Sequence, residues 1–468
     1  MTHVHFIGIG GSGLSAIARL LLESGFTVSG SDRAMSPFAD EIRKAGATVY
    51  IGHHPRNLEG ADWVVRSSAI TDDNPEMKAA KQAGIPVHKR ADVLGELMSN
   101  KTGIAIAGTH GKTTTTAMTA WMLQALGREP SFIVGGVIQN LGVNARAGQG
   151  NLFVIEADEY DNMFLGLKPQ IEVITNLEHD HPDFFPTFDA VLASFCRFVD
   201  LLPMDGTLIA CMEDSGAAGM LTYARKAGRN TVGYGVQEEA TINTPLWVTA
   251  RDVQPNQRGG YDFVVTSNLK TSGLESVEVS LQIPGRHNVR NALAVLAIAD
   301  MLGLARESAA RVLGEYAGAG RRFQLRGEVN GIRIFDDYAH HPTEIKATLE
   351  GARARFPRQR IWAVWQPHTY SRTKALFLEF TQAFKDADEV IVTEVYAARE
   401  PKQDFTSAEI VSSMPNLSAR YIETLPEVTQ HLLRHLKPGD VVLVLSAGDA
   451  DRVSTDVVKG LLERVTDV

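Results

Sequence analysis

Lys112 and Thr113 stand where an ammonium and a hydroxyl could meet the phosphates of a nucleotide, at the end of a run formed by Gly108, Thr109, His110, Gly111, Lys112, Thr113 and Thr114. A glycine-rich turn that opens a helix presents unpaired backbone N–H groups and the positive end of the helix dipole to anions. The lysine of such a turn reaches the terminal phosphates and the following hydroxyl is placed for a magnesium ion. The general spacing asks for a further glycine at position 106 and finds Ile106, so the loop is a short version of the motif. An ATP site is the expectation.

A strand must lead into that loop and a helix must leave it. Ile104 to Ala107 is a continuous apolar run suited to a buried strand, and Ala117, Met118, Trp121, Met122 and Leu126 recur at helical spacing after it. Strand Asn151 to Glu156 empties into the acids Asp158, Glu159 and Asp161, and Glu156 is the candidate magnesium ligand. Strand Ile171 to Thr175 leads to Asn176-Leu-Glu-His-Asp-His181. That cluster could take a transition metal, but oxygen-rich magnesium coordination helped by an imidazole, His181 before His179, fits the neighbouring phosphate loop better. Further on, Pro284 to Asn291 opens an apolar helix at Ala292, where polar groups could read an adenine ring or a phosphate and could equally be caps.

At the N-terminus a short strand runs into Gly8-Ile-Gly-Gly-Ser-Gly13, a helix follows, and a second strand ends at Asp32, 19 residues after Gly13. This βαβ opening suits a nucleotide diphosphate, with Gly10, Gly11 and Gly13 allowing close backbone approach and Asp32 reaching a ribose hydroxyl. A third strand ends at Ser67 and Ser68. In the last third, strands Ile332 to Phe335, Ile361 to Trp365, Val390 to Glu394 and Val441 to Leu445 each end in polar residues, among them Asp337, His340, His368 and Arg372. In a parallel sheet those clusters gather at one edge, where such sheets bind ligands. Arg372 and Arg399 are candidates to clamp a carboxylate or phosphate through paired hydrogen bonds.

The chain has 468 residues, which at about 100–200 residues per domain suggests three domains. We expect an α/β protein: a Rossmann-like domain over residues 1–99, a P-loop ATP-binding domain with a mixed sheet over 100–318, and a second Rossmann-like domain over 319–468. Lys and Arg total 46 against 55 Asp and Glu, a net charge of −9 without blocks of either sign, which argues against a nucleic-acid surface. The two cysteines, Cys196 and Cys211, lie in apolar surroundings and read as buried thiols of a reducing compartment. With no leader and no apolar run near the ~18 residues of a membrane span, a soluble cytoplasmic protein is expected, as a monomer or homodimer.

Taken in order, the glycine loops, Glu156-Ala-Asp-Glu159, the Asp-His run, Gly285-Arg-His-Asn-Val-Arg-Asn291, Arg321-Arg-Phe323, Asp336-Asp-Tyr-Ala-His-His-Pro-Thr-Glu344 and Gln366-Pro-His-Thr-Tyr-Ser-Arg372 resemble the Mur ligases of bacterial peptidoglycan synthesis from end to end. The resemblance implies ATP-dependent ligation of L-alanine to the carboxylate of UDP-N-acetylmuramate through an acyl phosphate. By the family pattern Lys112 holds the β- and γ-phosphates, Thr113 and Glu156 a magnesium ion, and His181 a second. Asn291 contacts adenine, and Arg322 and Asp337 the phosphate and ribose region. Arg372 takes the alanine carboxylate, with His340 and His368 near the amine, while the UDP substrate falls to Gly10, Gly11, Gly13, Asp32 and Ser68. Branches of the family that carry a carbamylated lysine soon after the Asp-His motif are disfavoured, because no lysine occurs between Lys168 and Lys226 and Cys196 stands near that place. The last motif, Ser446-Ala-Gly-Asp449, lacks the leading glycine common in relatives. A recycling ligase that adds a tripeptide to the same sugar nucleotide shares the pattern. The first βαβ unit alone would allow a nicotinamide-dependent dehydrogenase, which leaves the phosphate loop and the later acidic loops without work. A non-catalytic nucleotide-binding regulator leaves Lys112, Thr113 and Glu156 without work.

Overall fold

The computed structural model describes residues 1–237, 244–269, 276–398, 400–415 and 418–466, and Arg399 lies outside them. The chain builds three sheets in succession. The first has the order Thr48–Ile51, Thr27–Asp32, His3–Ile7, Trp63–Arg66, Val87–Lys89, every pair parallel. Its order reverses beside His3–Ile7, which puts the Gly8–Gly13 loop at the switch point.

The second sheet has ten strands. Its parallel centre runs Leu246–Pro255, Asn230–Val236, Thr207–Cys211, Ile171–Ile174, Thr102–Ala107, Leu152–Glu156, Ser131–Ile138. Antiparallel strands Tyr261–Ser267 with Ser276–Ser280 close one end and Val143–Arg146 closes the other. Ile104, Ala105, Ile106 and Ala107 are fully buried, as a strand covered on both faces requires. One intruder sits beside them: the Glu172 carboxyl on Ile171–Ile174 is fully buried, and neither oxygen has a hydrogen-bond partner among the described residues. Burial, with the Asp200 charge nearby, pushes its pKa well above the carboxylate range.

The third sheet is parallel through Ile332–Asp337, Val441–Leu445, Ile361–Trp365, Glu389–Val392 and Ala419–Tyr421, with Gln324–Val329 antiparallel on one edge. The three-domain α/β architecture with two parallel-rich outer sheets and a mixed central one is the expected fold class. Local chemistry sets several helix starts: Asn74 caps Pro75–Ala83, and His341 and Glu344 form a capping box on Pro342–Arg355 with Pro342 in the first turn.

The structure shifts three expectations. Asp336 and Asp337 belong to the strand rather than the loop after it, because both pair in the ladder with Val441–Leu445. The helix expected from Ala292 already begins at His287, so His287 and Asn291 are helical residues. Cys211 is buried but Cys196, on the helix Phe188–Val199, is only half-buried and packs at the margin of the apolar cluster. Among the described residues no helix is long and apolar enough to cross a membrane.

The packing is uneven. One apolar cluster runs unbroken from Val4 and Phe6 of the first sheet through the second sheet to Ala319, whereas the third sheet has its own clusters on its two faces. The seam between the second and third sheets is polar, and the site residues predicted in these two parts of the chain, Thr113, Arg322 and Arg372 among them, make contacts across it.

Candidate functional site

The strand Thr102–Ala107 delivers the chain into the phosphate loop and the helix Lys112–Ala125 leaves it. Gly111 has φ +83° and faces the Asn291 side chain so closely that a Cβ would lie 2.8 Å from Asn291 Oδ1. Only glycine fits both conditions. The Lys112 ammonium folds back over the loop, donating to the carbonyls of Gly108 (2.5 Å) and Thr109 (3.1 Å) and to Glu159 Oε1 (2.9 Å). Burial works against that charge, but the Glu159 carboxylate holds the lysine above its ordinary pKa. Burial pushes Glu159 itself up to about 7, the ammonium offsetting part of the rise.

Thr113 Oγ1 donates to Glu156 Oε1 at 2.9 Å and accepts from Arg322 Nη2 at 3.2 Å. Glu156 Oε2 accepts the Gly135 N–H at 2.7 Å. Hydroxyl and carboxylate oxygens so placed are hard donors of the kind magnesium prefers, and the buried Glu159 Oε2 beside them has no hydrogen-bond partner among the described residues. The residues therefore fit a magnesium ion. His181, at φ +53°, packs its ring on Tyr160 and is pulled below its usual pKa by burial.

A cavity of about 690 Å³ opens beside the loop; His110, Gly111, Thr114 and Asn291 line it from one side, Arg322 and Asp337 from the other. Asn291 is steadied by a 2.9 Å bond to Asn288 Oδ1. Asp337 accepts the N–H groups of Phe323 and Ala339, and burial pushes it up to about 6.

His110 crosses the seam. Its Nε2 lies 3.4 Å from Glu178 Oε2 and its Nδ1 3.2 Å from Glu344 Oε1. Burial lowers its pKa, but the two carboxylates outweigh burial and raise it to about 9, so it is an imidazolium at neutral pH. His110, Glu178 and His341 bring ligand atoms within 4.8 Å of one another. The cluster is better read as an ion-pair clasp than as a metal centre. Both nitrogens of His110 face carboxylates, and His341 Nδ1 takes the Thr343 N–H at 3.3 Å.

Arg372 is 4 % exposed and reaches back across the seam to Asp180 Oδ1 through Nε (3.0 Å) and Nη2 (2.8 Å). Burial raises Asp180, but the guanidinium wins and holds it well below the carboxylate range. Arg372 Nη1 faces His368 Nδ1 at 3.3 Å, and the His340 ring stands edge-on to His368 with centroids 6.0 Å apart. Burial pulls His340 down to about 3 and His368 to about 4, so both are neutral at pH 7.

The N-terminal candidates form a separate group. Asp32 Oδ2 accepts the Gly10 N–H at 2.8 Å, Gly11 caps the helix Ser12–Glu23, Gly13 lies against Arg90, and Ser68 is exposed on the turn after Trp63–Arg66. None of them lines the cavity described above. Four acids went unassigned by sequence reasoning: Glu159, Glu178, Asp180 and Glu344. The signal for Glu178, Asp180 and Glu344 was a carboxylate within a motif that also carries histidines, whereas Glu159 stands in an acidic run without a cation.

Sequence models of one family match three consecutive stretches: its catalytic domain over residues 3–102, its middle domain over 106–299 and its glutamate ligase domain over 321–448. The chain is 42% identical over 462 residues to UDP-N-acetylmuramate--L-alanine ligase of Desulfosudis oleivorans, with 98% of each chain covered. Among solved structures it resembles UDP-N-acetylmuramate-alanine ligase MurC of Thermotoga maritima (29% identity, TM-score 0.81, 100% of both chains). A murein peptide ligase of Psychrobacter arcticus is similar at lower agreement (27% identity, TM-score 0.73, 98% of this chain and 99% of that one). With all three of its domains matched in order and a relative this similar along the whole length, the chain belongs to the Mur ligase family.

Proposed function

We propose that the chain ligates L-alanine to the carboxylate of UDP-N-acetylmuramate with consumption of ATP, in cytoplasmic synthesis of peptidoglycan precursors. The observation that carries this reading is the 42% identity over 98% of both chains to a ligase of that name, joined to two contacts across one seam, Arg322 with Thr113 of the phosphate loop and Arg372 with Asp180. We assign the UDP substrate to residues 1–99, with Gly10, Gly11, Gly13, Asp32 and Ser68 at its site, ATP to 100–318 and the amino acid to 319–468.

In this reading the muramate carboxylate oxygen attacks the γ-phosphorus and ADP leaves. The alanine nitrogen, as the free amine, then attacks the acyl carbon, the bond from that carbon to the phosphate oxygen breaks, and the nitrogen gives up a proton to the departing phosphate. Lys112 turns from its loop carbonyls to the β- and γ-phosphates, and the loop N–H groups from Gly108 to Thr114 cradle them. A magnesium ion bound by Thr113 and Glu156, with His181 at a second position, supplies neutralisation of phosphate charge. Asn291 faces adenine, and Arg322 and Asp337 the phosphate and ribose. Arg372 offers its guanidinium to the alanine carboxylate while Asp180 fixes its orientation, and neutral His340 and His368 flank the amine. The protein contributes position and charge rather than covalent chemistry.

Phosphate release from ATP, with UDP-N-acetylmuramate and magnesium present, tests the reading. Stimulation by L-alanine is expected; stimulation only by the L-Ala-D-Glu-diaminopimelate tripeptide would move the chain to the recycling branch.

A further inference from the structure

One carboxylate touches both halves of the site. Glu344 Oε1 lies 3.2 Å from His110 Nδ1 on the phosphate loop, and Oε2 accepts the backbone N–H groups of His340 (3.0 Å) and His341 (3.3 Å). The same Oε2 lies 3.2 Å from His340 Nδ1. The carboxylate is pinned because it is half of the capping box that starts the helix Pro342–Arg355.

These contacts assign the imidazole protons. His340 Nδ1 faces two acceptors, Tyr338 O at 2.9 Å and Glu344, so it carries the proton and Nε2 presents a lone pair. His368 is the reverse: its Nδ1 accepts from Arg372, which leaves Nε2 as a donor. Of the two histidines flanking the amine, only His340 can accept a hydrogen bond from it through Nε2. On the other side of Glu344, His110 is faced by Glu178, Glu344 and the His341 ring, with Arg322 3.9 Å from Glu344.

We propose that Glu344 is a positioning residue that couples the phosphate loop to the amine site, by sharing one fixed carboxylate between His110 and His340. A nucleotide phosphate beside His110 competes for that cation, which loosens Oε1 and leaves the carboxylate's charge to the Nδ1–H of His340, whose Nε2 then accepts a hydrogen bond from the alanine amine and orients it. The inference rests on the reading above, in which His110 is on the nucleotide side and His340 on the amine side.

The test is turnover by full-length Glu344→Gln, His110→Asn and the double variant. Glutamine keeps an oxygen for the helix cap, so the fold is retained. For Glu344→Gln we expect kcat to fall about tenfold or more while the KM values for ATP and alanine move less than about threefold. The double variant should be no worse than the poorer single one, as for two residues of one unit. Losses that multiply, or an unchanged kcat in Glu344→Gln, overturn the proposal. Should Glu344→Gln fail to fold, His110→Asn alone decides: it breaks the same contact without touching the cap, and an unchanged kcat overturns the proposal. If the unmodified protein shows no alanine-stimulated phosphate release, the functional reading has failed instead.

Discussion

The molecule has two junctions between its three sheets, and they are built from opposite materials. Between the first and second sheets a single apolar cluster is continuous, and the helix Arg90–Met98 packs so tightly on Tyr160–Gly166 that a Cβ on Gly95 would lie 2.3 Å from Gly166 O. Between the second and third, the contacts are Arg372 with Asp180, His110 with Glu344, Thr343 with Glu178 and Arg322 with Thr113. An apolar junction loses its stabilisation when it parts, whereas charged and hydroxylic groups find water as a replacement partner. The first junction is thus held by apolar burial and the second by polar contacts that water can replace. Thr113, Arg322, Asp337 and Arg372, among the groups proposed for magnesium, nucleotide and alanine, lie along this second junction.

The largest effect expected from breaking the polar side is that of Lys112→Met. Turnover should fall on the order of 10³-fold, the loss of a charge-stabilising donor, with the melting temperature nearly unchanged because Glu159 can take up a proton. Phosphate release and a thermal melt on one preparation check both halves, and near-normal turnover would remove Lys112 from the site. Next comes Arg372→Ala, for which steady-state kinetics should give a KM for alanine raised about a hundredfold, with the ATP value far less affected, as the loss of a bidentate charged contact implies. Equal changes in both would put the carboxylate clamp elsewhere. Asp180 is left buried without its partner, so stability should also drop, by roughly 3 kcal/mol.

The apolar junction should respond in the opposite way. Gly95→Leu forces the helix from its neighbour and should cost about 1–3 kcal/mol in denaturant unfolding, while the KM for alanine, set at the other seam, stays put. A selective rise in that KM would show that the two junctions are not independent. The last test concerns pH. His110 has a folded pKa of about 9, above its ordinary 6.5, so its contribution to stability is complete below pH 6.5 and is lost as pH rises through about 9. The melting temperatures of the unmodified protein and His110→Gln should therefore differ most near pH 6 and converge above pH 9; a constant gap would mean that His110 is not held as a cation.

Much of this was legible in the sequence because buried parallel strands announce themselves. Ile104 to Ala107, Ile361 to Trp365 and Val441 to Leu445 are unbroken apolar runs, and the polar residues that follow them fall at the sheet edge where ligands bind. What stayed hidden was pairing across the seam. Arg372 and Asp180 are 192 residues apart, and no periodicity links them. Asp337 was legible as a candidate but not as part of a strand, since two adjacent acids look like a turn until the ladder with Val441–Leu445 is seen. Glu344 could have been read as a helix cap from its spacing to His341; its second contact, to the loop of another domain, has no local signature.

Burial of the lone carboxyl of Glu172 links folding to proton uptake at this one site. A group that is ionised in the unfolded chain above its ordinary pKa meets a sheet interior that favours its protonated form, because burial raises its folded pKa well above 4.5. The central sheet is consequently least favoured in alkali and gains as pH falls towards 4.5, a trend that Glu172→Gln, shaped like the protonated acid, should erase without touching the catalytic seam.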